Sequence, residues 1–455
     1  VYVDSLYAVQ VSDTNLIYGT AVDNKGCTTD LRLDIYKPIG SPDAERPLLI
    51  LVHGGSFITG SKDAIQVVNM AKDFAAKGYV VATVNYRLGQ HLRSYVPTPT
   101  VPPLFTDPTL VCHYFAENEV ERAAFRGMQD VKDAIRYMKN RALTDSVSKD
   151  KVFVGGESAG GIIASMVGFL DDISEKPDSC FAVSTAAAPA SNLNCTLNPC
   201  ATNSRLRPDL GNIDGNPSAF PNENAEVVGV FSMFGGMFSN LFTISHNPPL
   251  KYYVYHQTCD PVVVADSGRV YRWLDNCLYN CSAYTPYQAG IGPELKGANA
   301  IVGYENMAAH GGSFHANIVQ NGPPPNAWPN CTNCVIGALT PQYAPCHTVV
   351  NPKVEARSIA QFFLSCITAR VDNGISINMT VSPNPAHDRV KIEFEQASGL
   401  YEVRLFDQLG RALRVPQSIS DGKKMELDLS GLEKGTYFLR ATSEGGSTHR
   451  VLILE

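Results

Sequence analysis

The sequence predicts a two-part protein: a layered α/β domain on a mainly parallel sheet, followed by a small all-β sandwich. Between residues 30 and 366, short apolar runs alternate with segments of helical periodicity. The apolar runs lack polar alternation, as strands buried on both faces require, and the helices between them imply a parallel sheet covered on both sides. After residue 370 the pattern changes to short alternating strands punctuated by turns, and no cysteine remains.

The first expected core strand is PLLILVHGG (47–55), followed by YVVATVNYRL (79–88) and KVFVGG (151–156). EVVGVFSMFGG (226–236), LKYYVYHQ (250–257) and ANAIVGYE (298–305) continue the series. AFRGMQDVKDAIRYMKN (124–140) and PKVEARSIAQFFLSCI (352–367) repeat apolar residues at helical spacing. Two long insertions interrupt this order: residues 89–120, rich in Pro and aromatics, and residues 188–224, rich in Asn, Pro and Cys. Loops of that length act as lids or remain irregular. The expected boundaries are a catalytic domain over 1–370, a linker over 371–380 and a sandwich over 381–455, with strands such as RVKIEFE (389–395) and GTYFLRATS (435–443).

The chain has 455 residues, 44% of them apolar, and a net charge of −7. That charge argues against a nucleic-acid partner, which needs a basic face. No apolar run reaches the roughly 18–20 residues of a membrane span. The opening VYVDSLYAVQ has neither the basic start nor the apolar core of a signal peptide, so an export signal is expected to have been removed or never present. Twelve cysteines, several in close pairs (Cys195 and Cys200, Cys277 and Cys281, Cys331 and Cys334), predict disulfides and an oxidising, extracytoplasmic location. Zinc held by CTNC (331–334) and CH (346–347) is the competing reading, set against by the loop-like, proline-rich surroundings.

The chemistry centres on GESAG (156–160), where Ser158 follows an apolar strand and opens a helical run. A strained strand-to-helix turn exposes such a hydroxyl and leaves room for a base and a substrate, so Ser158 is the candidate nucleophile. LVHGGSFITGS (51–61) ends the first core strand in glycines, which let backbone N–H groups approach a developing oxyanion. A serine needs a base oriented by a carboxylate. Asp260 lies just past a late strand; Asp266 competes but is expected to cap the next helix. His310, His315 and His347 are the candidate bases. Glu157 as half of a glycosidase carboxylate pair finds no partner at a recognisable spacing.

HGGSF (53–57), NYRLG (85–89), Asp130 and GESAGG (156–161) occur in the order seen in α/β-hydrolase fold carboxylesterases, and this part of the chain resembles the type-B and hormone-sensitive-lipase-like esterases. The resemblance implies an oxyanion hole from the N–H groups of Gly55, Ser56 and Ala159, with Ser56 standing where these families usually carry a third glycine. It implies Asp260 as the acid, in a segment resembling H-G-x-x-D with Gln257 in place of glycine. Of the three histidines, His310 best resembles the family's base, because it follows VGYENMAA much as that base follows the terminal strand; His315 and His347 stay open. His53 is expected to shape the oxyanion loop, and no cofactor or metal is implied.

VSPNPAHDRVKIEF, VRLFDQLGR and LDLSGLEKGTYFLRAT resemble the sorting domain of the type IX secretion system of Bacteroidetes, implying export with release or surface attachment. A carbohydrate-binding sandwich is the alternative, without the exposed aromatic platform it needs. Together these features predict a secreted serine esterase acting on a small or polymeric ester, polyesters included. The alternatives are a peptidase of the same fold and a non-catalytic surface binding or adhesion protein.

Overall fold

The computed structural model describes residues 2–24, 27–89, 117–182, 208–238, 250–260, 262–270, 293–302, 313–320, 344–368, 379–394, 402–407, 412–413, 415–419, 424–443 and 446–455. The chain divides into two compact units, Val1–Ile367 and Thr368–Glu455. The expected insertions fall partly outside the described residues, at 90–116 and 183–207, and the expected linker does so through residue 378.

Among the described residues the main sheet of the first unit has eight strands. β1 (Ala8–Val22) and β2 (Thr28–Ile39) form an antiparallel hairpin, and β2 also pairs antiparallel with β4 (Val80–Val84). β3 (Arg46–Val52) then pairs parallel with both β4 and β5 (Val147–Glu157). The parallel series continues through β6 (Gly229–Met233), β7 (Lys251–Gln257) and β8 (Ser313–Val319). The resulting order, β1-β2-β4-β3-β5-β6-β7-β8, is an α/β-hydrolase sheet.

Alternate residues of the inner strands enter opposite cores. Leu48, Ile50 and Val52 pack with α2 (Glu117–Asn140) and α3 (Ala159–Phe169). Leu49 and Leu51 pack with α1 (Ile65–Ala76) and α5 (Pro352–Thr368). Both faces are therefore dry, which explains the unbroken apolar runs. Residues 298–305, expected as the last strand, instead open with the short helix α4 (Ala298–Val302), and β8 supplies the final strand. A short apolar run does not by itself distinguish a strand from a helix.

In the second unit two four-stranded antiparallel sheets share one core, which includes Ile392 and Leu427 from one sheet and Leu405 and Leu439 from the other. The strand Arg389–Phe394 alternates exposed and buried residues, the period expected of a sheet with one wet face.

α2 carries an unusual second face. Arg122, Arg126, Gln129, Lys132, Arg136 and Lys139 are all buried although they read as a polar stripe. Their donors end on main-chain oxygens: Arg122 on Ser179, Phe181 and Pro208, Gln129 on Leu210 and Asn212, Arg136 on Asp214, and Lys139 on Glu226. Arg126 and Lys132 reach the carbonyls of Gly89 and Leu170. The segment 208–226 is irregular and has few ladder bonds of its own, so the helix's cations satisfy its carbonyls. Arg122→Ala should therefore cost about 3 kcal/mol in denaturant unfolding, since it orphans three carbonyls. Arg32→Ala, an exposed ion pair with Asp30, should cost under about 0.5 kcal/mol in the same assay.

Candidate active site

The carboxyl ends of β3, β5, β6 and β7 converge on one region. Ser158 links β5 to α3 with φ 55° and ψ −120°, a conformation that costs an L-residue about 1–3 kcal/mol. Backbone proximity holds it there. A Cβ on Gly160 would lie 2.2 Å from the Val52 oxygen, and one on Gly156 would lie 2.4 Å from the Gly160 carbonyl carbon. The Ser158 N–H donates to Met233 O at 2.8 Å, tying the turn to the end of β6. The Ser158 hydroxyl does not cap the helix it begins.

The loop after β3 touches this turn: a Cβ on Gly54 would meet Ser158 Cβ at 3.2 Å. Gly55 (φ 116°), Ser56 (φ 55°) and Phe57 (φ 63°) turn consecutively through the left-handed region. The N–H groups of Ile58 and Thr59 both donate to Gly55 O at 3.0 Å, closing the turn. Ser56 thus occupies a conformation suited to glycine and costs about 1 kcal/mol relative to it. Ala159 begins α3, whose N-terminal end favours negative charge. His53 Nδ1 meets Gly54 O at 2.7 Å, and its ring stacks on Tyr86 at 4.5 Å. Burial, opposed by that Gly54 hydrogen bond, lowers the His53 pKa to about 4. An uncharged ring here suits a packing role for the loop.

Asp260 is buried and fully engaged. Its Oδ1 accepts the N–H groups of Val262 (2.8 Å) and Val263 (3.0 Å). Its Oδ2 faces His347 Nδ1 at 2.8 Å and His256 Nε2 at 3.3 Å. Burial raises its pKa, but the His347 charge and the hydrogen bonds from both rings outweigh burial and bring it to about 2. A carboxylate accepts, so Nδ1 of His347 bears hydrogen and Nε2 of the uncharged ring is basic. Burial opposes charge on His347, yet the Asp260 charge and hydrogen bond, with the Glu157 charge behind them, raise its pKa above the ordinary value. The His347 ring tilts against Phe234 at 5.0 Å. Met233 and Phe234 therefore touch the Ser158 backbone and the His347 ring from adjacent positions.

A disulfide joins Cys259 to Cys346, the residues immediately before Asp260 and His347. Among the described residues Cys180 and Cys366 are free thiols. Cys331 and Cys334 of the zinc reading lie outside the described residues, whereas Cys346 and His347 are held by Cys259 and Asp260.

His310 lies outside the described residues. His315, expected on a loop, is an exposed residue of β8 stacked on Tyr253 at 4.9 Å. It precedes the strand end at Val319 by four residues, roughly 13 Å at the strand rise. Asp266 caps no helix: it precedes the short strand Ser267–Arg269, and its carboxylate accepts the Asn299 amide at 2.8 Å. Glu157 has its pKa raised by burial, with the His347 charge opposing. Sequence reasoning passed over His256 and Phe234, whose only signal was their place at strand ends.

Residues 33–98 and 114–197 match the BD-FAE family model, and residues 380–455 match a secretion system C-terminal sorting domain. The chain is 30% identical over 141 residues to the neuroligin-like protein glit-1 of Caenorhabditis elegans, covering 30% of this chain and 15% of that protein. It is also 30% identical over 136 residues to carboxylesterase 3 of Pongo abelii, covering 30% of this chain and 20% of that protein. The chain thus spans a fifth or less of the length of these relatives. A truncated carbohydrate esterase from gut microbiota aligns over 80% of this chain and 98% of its own at 13% identity, with a TM-score of 0.42.

The Cys259–Cys346 bond closes a loop of 87 residues, worth about 4.6 kcal/mol by the chain-entropy relation. Replacing both cysteines by alanine should lower the unfolding free energy by up to that amount in denaturant titration. An unchanged midpoint would show that the loop is held without the bond.

Proposed function

We propose that the chain is a secreted serine esterase in which Ser158, His347 and Asp260 form the triad. The observation that carries this reading is the His347–Asp260 hydrogen bond, covalently tethered on both sides and packed on the Met233–Phe234 pair that also anchors the strained Ser158. The carboxylesterase relative and the BD-FAE match support the reaction class; the sorting-domain match supports export through a type IX system with release or surface attachment.

In this mechanism Ser158 Oγ bonds to the ester carbonyl carbon while its proton passes to His347 Nε2. Asp260 stabilises the imidazolium and fixes its tautomer. The resulting oxyanion lies against the N–H groups of Gly55, Ser56 and Ala159, where preorganised donors oppose the developing charge. The imidazolium then gives its proton to the departing alkoxide as the carbon–oxygen bond breaks, leaving an acyl-enzyme. Water, deprotonated by His347, attacks the acyl carbon; the acid leaves and Ser158 regains its proton.

A fluorophosphonate probe should label Ser158, as read by peptide mapping, and His347→Ala should abolish labelling while cutting kcat about 10⁴-fold or more. Labelling that survives in His347→Ala but vanishes in His310→Ala would move the base to His310. No labelling of the folded wild type would overturn the esterase reading.

The base must be uncharged to accept a proton, so activity falls as pH drops through the His347 pKa. With that pKa raised, the acid-side midpoint of kcat/KM should lie above about 6.5. Glu157→Gln removes a charge that favours the imidazolium and should move that midpoint downward in a pH–rate titration.

A further inference from the structure

We propose that His256 is a positioning residue for the acid of the triad, gripping both the Asp260 carboxylate and the turn that carries it. The inference rests on the reading of Asp260 and His347 as the acid and base. His256 lies one residue before the end of β7 and is fully buried. Its Nε2 is 2.9 Å from Val263 O and 3.3 Å from Asp260 Oδ2. A carbonyl oxygen only accepts, so Nε2 bears hydrogen whatever the charge of the ring, and that hydrogen is shared between the two oxygens. Its Nδ1 is buried without a hydrogen-bond partner among the described residues. The ring is thus oriented by one edge alone, and that edge faces the acid.

The contacts form a closed set. The Val263 N–H donates to Asp260 Oδ1 while the Val263 carbonyl accepts from His256. The Asp260 N–H returns to Gln257 O at 3.1 Å, so the turn is pinned to the strand end at the backbone as well. With Val262 and Val263 holding Oδ1 and His256 beside Oδ2, the carboxylate cannot rotate without losing a donor. Oδ2 therefore stays where His347 Nδ1 needs it. Phe234 packs edge-on against the His256 ring at 5.9 Å and tilts against His347 at 5.0 Å, so one side chain buttresses both imidazoles.

Removing His256 takes a donor from Oδ2 and concentrates the carboxylate charge on His347. The groups facing Asp260 are His256 and His347, and Glu157 also acts on His347. Loss of His256 raises the His347 pKa whether the departing ring is charged or not, since either form draws charge away from that oxygen.

The test compares His256→Phe, which keeps an aromatic of similar bulk but has no donor, with His256→Gln, which keeps an N–H donor. His256→Met serves as the donor-less variant should the phenylalanine not fold, with folding read from thermal unfolding. Without the donor, kcat should fall about 10- to 100-fold with KM within about 2-fold, as expected for sub-ångström misplacement of a catalytic group. The acid limb of kcat should move to higher pH, and His256→Gln should recover most of both. A donor-less variant that folds and keeps the wild-type kcat and acid limb overturns the proposal. So does a phenylalanine variant that outperforms glutamine, because packing would then be the role. His347→Ala run alongside separates the two claims: if it stays active, the assignment of the base has failed, whatever His256 does.

Discussion

The Val52 carbonyl oxygen lies so close to Gly160 that any side chain there would overlap it, and the Gly54 and Glu157 backbones approach almost as closely. This crossing of two main-chain segments is the constraint on which the site depends. It puts the loop after β3 against the turn after β5, and the Ser158 N–H bond to Met233 ties that turn to β6. The strain at Ser158 persists because neighbours on two strands leave it no alternative. The glycines are thus a geometric requirement of the crossing, and Ser158 is the residue in it that sets a hydroxyl on a strained backbone.

Electrostatics at the Asp260–His347 pair follows from burial being compensated locally. Asp260 would resist ionisation in a dry setting, but four donors converge on its two oxygens. His347 in turn is drawn toward its charged form by the carboxylate it contacts. The same logic operates at larger scale on α2, where buried cations find main-chain carbonyls, and for Arg136 the Asp133 carboxylate as well. A helix face rich in Arg and Lys is dry here because an irregular segment needs donors.

The sheet and the elbow were legible because their signals are local. Unbroken apolar runs mark doubly covered strands, and GESAGG after such a run marks the turn. The place of Asp260 just past a strand was readable too. The imidazole that meets its carboxylate was harder, since the stretch before His310 resembles the family's base while nothing in the immediate sequence of His347 marks its contact with Asp260. β8 carries only a weak apolar pattern, SFHANIV, so His315 read as a loop residue and residues 298–305 took the strand's place. The burial of the polar residues of α2 had no signal in the sequence, because periodicity cannot reveal what covers a face. Likewise the pairing of Cys259 with Cys346 joins positions 87 residues apart, and no spacing rule connects them.

That covalent link has a consequence for how the protein can change over generations. The chain between Cys259 and Cys346 begins and ends beside Asp260 and His347, which are in contact. A change in the length of that stretch leaves both ends bonded, so the contact of carboxylate and imidazole depends less on how much chain lies between. In an evolutionary sense the parts of the stretch outside β8 and the Val262–Val263 turn can grow or shrink while that contact is kept.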